Sequence, residues 1–137
     1  MKKSISLILA IVCMVLSCFS ANAASHDTST AIIIVNRNRS SITGQKSVYQ
    51  KDSDGNNVAI ATLTGTFTFN GTSSSCTGAS CDVTIYNDAW STKSVNAYTS
   101  GSSAVAEVTL VRKFLFITVE TKNFTITLSC DRNGNLS

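Results

Sequence analysis

From Ala31 to Cys130 apolar and polar residues alternate with a period of two, and no stretch repeats with the helical period. The pattern is clearest from Val58 to Asn70, where Leu63, Phe67 and Phe69 fall in one phase and Thr62, Thr64, Thr66 and Thr68 in the other. Such a segment is a strand with one face in a core and one face wet. Composition points the same way. After Ala23 the chain carries 34 Thr and Ser and no Pro; Thr is stiff at χ1 and suits a pleat, while Ser competes for helical hydrogen bonds. Further strands are predicted at Ala31 to Asn36, Ser47 to Lys51, Cys81 to Ala89, Ser94 to Thr99, Ala104 to Val111, Phe114 to Glu120 and Asn123 to Cys130. Turn-forming residues separate them: Asp52 to Asn57, Asn70-Gly71 and Ser100-Gly101-Ser102. Seven or eight short strands at this spacing predict an all-β chain forming a single antiparallel β-sandwich, immunoglobulin-like rather than a closed barrel. It is expected to span residues 31–137 after a mobile segment 24–30, with no internal repeat or linker.

The first 23 residues have a different character. Lys2 and Lys3, the apolar run from Ile5 to Leu16 and the small residues Ala21-Asn22-Ala23 follow the plan of a secretory signal peptide, with cleavage after Ala23. The run is shorter than the ~20 residues a helix needs to cross a bilayer, so no membrane span is expected. A rival reading takes Val15-Leu16-Ser17-Cys18 as a lipobox, which would leave a surface lipoprotein anchored at Cys18. Removing Lys2 and Lys3 lowers the formal charge from +3 to +1. That balance gives no electrostatic reason to expect nucleic acid or an anionic membrane as partner.

Cleavage also leaves three cysteines, Cys76, Cys81 and Cys130, in an oxidising exterior where one disulfide forms and one thiol is left over. Cys76 lies in a Ser-, Thr- and Gly-rich segment, Gly71 to Ser80, read as a loop. Cys81 is in phase with Val83 and Ile85, as Cys130 is with Ile126 and Leu128, so both Cys76–Cys130 and Cys81–Cys130 are open. A zinc site on Cys76, Cys81 and Cys130 lacks a fourth ligand, because the single histidine, His26, is in the N-terminal segment. No metal and no cofactor is expected.

The run Thr62-Leu63-Thr64-Gly65-Thr66-Phe67-Thr68-Phe69-Asn70-Gly71, the following Cys76, and the ending Leu128-Ser129-Cys130 with Asn133-Gly134-Asn135-Leu136-Ser137 resemble small exported all-β proteins of Gram-positive bacteria. The resemblance covers most of the chain after Ala23. It implies a fold and an export route, and no activity. In that pattern the cysteines matching Cys76 and Cys130 recur as a pair, which implies their bond here; Cys81 is an addition, and Phe116 stands where a turn glycine is usual.

Candidate chemistry is sparse. Ser-His or Cys-His catalysis needs an imidazole held by the scaffold, and the strand region contains none. Carboxylates remain: Asp82 and Asp88 on one strand face, Glu107 and Glu120 on others, a set from which a glycosidase-like hydrolase would draw its pair. They read more simply as solubilising charges. Asp52-Ser53-Asp54-Gly55-Asn56 departs from a calcium loop in the place of its glycine and in lacking a closing Glu, and reads as a turn. Asn38-Arg39-Ser40, Asn70-Gly71-Thr72 and Asn123-Phe124-Thr125 would accept glycans only in a eukaryotic secretory route. Tyr86 and Trp90, in phase with Asp82 and Asp88, form the ligand-binding candidate, aromatic rings beside carboxylates on which a sugar stacks. The competing reading makes Trp90 the cover of one end of the core. Phe114-Leu115-Phe116-Ile117-Thr118-Val119, apolar in both phases, reads as a strand buried on both sides or as an edge that a partner must cover. The expected function is non-enzymatic binding or interaction at the cell exterior, with an extracellular protein or a glycan as partner.

Overall fold

The computed structural model describes residues 30–137. The expected signal peptide 1–23, the lipobox Cys18 and the segment 24–29 with His26 lie outside the described residues. Thr30, assigned from sequence to the N-terminal segment, already opens the first strand.

Seven strands follow: β1 (Thr30–Arg37), β2 (Ser41–Lys51), β3 (Asn57–Phe69), β4 (Ser74–Ile85), β5 (Trp90–Ser100), β6 (Ser103–Phe114) and β7 (Ile117–Ser129). There is no helix among the described residues. Strands β1 to β4 make one antiparallel sheet and β5 to β7 a second, each in sequence order. Both sheets are therefore plain meanders. The immunoglobulin arrangement expected from the strand count interleaves distant strands within each sheet, so the connectivity departs from it.

Side chains of both sheets enter one buried cluster. Ile42, Val58, Leu63 and Phe67 come from the first sheet, and Ala104, Val108, Leu110, Ile126 and Leu128 from the second. The two sheets approach closely at Gly65, where a methyl group would stand 2.7 Å from the Phe67 ring and 2.9 Å from the Ala104 methyl. A side chain there would wedge β3 away from β6. On the opposite face of β2 and β3 the threonines pair across the strands: Thr43 with Thr66 at 3.1 Å, Gln45 to Thr64 at 3.1 Å and Ser47 with Thr62 at 2.9 Å. These hydroxyl contacts stabilise a wet sheet face where apolar pairing is absent.

Three elements differ from the sequence reading. The predicted loop Gly71 to Ser80 is largely strand, since β4 begins at Ser74. Its register against β3 shifts between Gly78 and Cys76, leaving Thr77 as the extra residue of a bulge. The predicted strands at Phe114 to Glu120 and Asn123 to Cys130 are a turn followed by one long β7. Strand β2 begins at Ser41 rather than Ser47, because only Ile42 marks its first half as inward-facing.

Candidate functional site

The bulge at Thr77 decides where the cysteines go. Cys81, Val83 and Ile85 pair with Leu63, Ala61 and Ala59 and face the core by simple alternation; the extra residue then brings Cys76, of opposite parity, onto the same face opposite Phe67. The Cys76 amide donates to the Gly101 carbonyl at 2.8 Å, and the Cys130 amide donates to the adjacent Ser102 carbonyl at 3.0 Å. Ser74 Oγ donates to the Cys130 carbonyl at 2.6 Å. Cys76 and Cys130 are thus held on either side of the β5–β6 turn, both buried. The expected Cys76–Cys130 bond is not formed in the structure, where all three cysteines are thiols. Burial pushes each thiol's pKa up, and Asp131 and then Cys76 push Cys130 further while Arg37 opposes. Cys81 is five residues along β4 from Cys76, roughly 16 Å at a strand's rise per residue. Among the described residues no three His, Cys, Asp or Glu side chains cluster so as to hold a metal ion.

The aromatic-carboxylate constellation is not assembled as sequence phase implied. Asp82 is exposed on the outer phase of β4, and Tyr86, 54% exposed, opens the turn after it. Asp88 is in the turn beyond it. Trp90, only 3% exposed, opens β5 and packs in the core. The turn between β4 and β5 resets the phase, so parity counted through it places Trp90 on the wrong side. Lys122 caps the indole, its Nζ 5.5 Å from the ring centroid, while donating to the Lys51 carbonyl at 2.8 Å and pairing with Glu120 at 3.7 Å.

Of the remaining carboxylates, Glu107, Glu120, Asp52 and Asp131 are occupied locally. Glu107 accepts from the Tyr98 hydroxyl at 3.2 Å, and Glu120 stands between Arg112 (3.8 Å) and Lys122. Asp52 accepts the amides of Asp54 and Asn56 at 3.0 and 2.9 Å. Asp131 accepts those of Asn133 and Asn135 at 2.8 and 2.9 Å, in a loop of the same design. Gly55 and Gly134 occupy matching left-handed positions, φ 86° and 81°. These amide bonds hold both carboxyls below the usual range, and they use the oxygens that a calcium ion would need.

Apolar surface is gathered in two places. All eight residues of β1 are exposed, including Ile32, Ile33, Ile34 and Val35, and among the described residues β1 pairs only with β2. Its first residue, Thr30, with Lys46, Val48 and Gln50 of β2, borders a groove of about 740 Å³ against β7. The second place is the β6–β7 tip, with Phe114, Leu115, Phe116 and Ile117. Both runs are legible in the sequence, but the second reads there as a continuous strand, buried or at an edge; a turn at its centre is implied only by the resemblance, in which a turn glycine stands at the position of Phe116. Neither family models nor curated proteins nor solved structures give a match to the chain.

Proposed function

We propose that the chain is an exported, non-enzymatic interaction protein: a two-sheet β-sandwich that binds an extended, apolar segment of another polypeptide at the cell exterior by adding it as a strand to the free edge of β1. The observation that carries this reading is β1 itself. Its core sequence is apolar in both phases, as in a strand covered on both faces, yet every residue of it is exposed. Edge strands are ordinarily guarded by proline, inward charges, brevity or a bulge; β1 has no charge before Arg37 at its end, and its one bulge, at Val35, comes after the run Ala31 to Ile34. Strand addition along Ala31 to Val35 pairs the outward backbone groups of that run and covers its side chains at once. The apolar edge favours a protein partner over a glycan.

The leader sequence and the resemblance to exported proteins support the exterior location, with anchoring at Cys18 as the alternative route. There, thiol–disulfide exchange with a disulfide oxidant joins Cys76 to Cys130; the two thiols give up two electrons and two protons, and the oxidant is released as two thiols. Contacts on both sides of the Gly101-Ser102 turn support this pair over Cys81–Cys130. Sugar binding on Tyr86, Trp90, Asp82 and Asp88 loses support with Trp90 in the core, and no observation favours a paired-carboxylate hydrolase.

The test is Ile33→Lys, which puts an edge-guarding charge on the outer phase of β1. Secreted wild-type protein should elute in a complex larger than the monomer and the variant as a monomer with an unchanged melting temperature. Equal elution of the two would contradict the proposal.

A further inference from the structure

β6 and β7 are joined by a two-residue turn, with Phe114 paired to Ile117 and Leu115 and Phe116 between them. Both central residues have positive φ, 47° and 67°. A hairpin turn of this kind favours Asn-Gly, because only residues with little or no steric bulk enter the left-handed region cheaply. Here two large apolar side chains occupy it, and Phe116 is 99% exposed. Phe114, Leu115 and Ile117 are also more than half exposed, so the apex is apolar on every side rather than along one face. Backbone strain of this sort clusters at functional positions, and here it holds bulky apolar groups at an exposed hairpin apex.

We infer that the β6–β7 tip is a lipid-docking element that inserts Leu115 and Phe116 into the apolar layer of a membrane surface. A convex, all-round apolar apex fits a fluid apolar medium, which requires no matching pocket. The hairpin brings its own backbone pairing up to Phe114 and Ile117, which entry into lipid demands. Lys113 and Arg112, the latter 3.8 Å from Glu120, are exposed immediately behind the tip and stand at headgroup depth when the apex is submerged. The net charge provides no general attraction, so insertion is driven by the apolar groups and anionic lipid adds to it only through these two cations. This surface is separate from β1, and neither reading depends on the other.

The test uses vesicles of phosphatidylcholine, with and without phosphatidylglycerol, in a sedimentation assay with the full exported chain. Wild-type protein should partition onto both, more strongly with phosphatidylglycerol. The double substitution Leu115→Asn, Phe116→Gly installs the favoured turn; it should raise the melting temperature and weaken partitioning by more than about tenfold, as expected for removing two apolar side chains that would enter the lipid. A wild-type protein that binds neither vesicle, or a variant that binds as well as wild type, would overturn the inference. So would binding confined to phosphatidylglycerol vesicles and abolished by salt in both proteins, since that is surface charge alone.

Discussion

Trp90 shows how far single-residue parity can be trusted. Counting by twos from Asp82 puts it on a wet face; in the structure it is 3% exposed and roofed by Lys122. The intervening Tyr86 to Ala89 turn carries its own hydrogen bonds, Ala89 N to Asn87 Oδ1 at 3.0 Å and Trp90 N to the Asn87 carbonyl at 2.9 Å, and restarts the alternation. Trp90→Ala should therefore cost about 3–5 kcal/mol, the range for emptying a large aromatic site, and lower the melting temperature sharply in a thermal melt. A change within about 0.5 kcal/mol, typical of surface positions, would place the ring outside the core. Leu63 and Phe67, by contrast, were legible from sequence, because β3 runs without a turn or bulge of its own between them. Cys76 was not: the bulge that turns it inward is one residue, Thr77, in a run of small polar residues with no distinguishing signature.

At the scale of elements, the two Asp-x-x-Gly-Asn loops carry a shared acid sensitivity. Amide donors, led by those of Asn56 and Asn135, lower the carboxyl pKa of Asp52 and Asp131 in the folded chain. A depressed folded pKa means stability that is present above the unfolded value of about 4 and lost as pH falls through the folded one. Denaturant midpoints should thus decline below about pH 4, and the Asp52→Asn, Asp131→Asn double variant should show a shallower decline. Parallel curves for the two proteins would contradict this origin. Both loops were readable as turns, since Asp, Gly and Asn each have a local reason to be there. The C-terminal one does more: a methyl on Gly134 would overlap the Phe69 ring, so the turn is also a lid on the end of β3. That contact joins residues 65 positions apart and has no sequence signal.

The whole molecule joins two locally paired meanders through one core, and its strand count and class were legible because alternation survives in most strands. The order within the sheets was not, since strand count suits many connectivities. Redox state acts at the same scale. A Cys76–Cys130 bond encloses 53 residues, worth about 4 kcal/mol in the chain-entropy account; a non-reducing peptide map of exported protein should show that pair joined and Cys81 alkylated, and a Cys81–Cys130 peptide would contradict it. Contact at the β1 edge is read by a photocrosslinking residue at position 33, compared with one at Glu107, exposed in the middle strand of the other sheet. Irradiation of producing cells should give a defined protein adduct from position 33 and none from position 107; no adduct from 33, or the same adducts from both, would contradict the account.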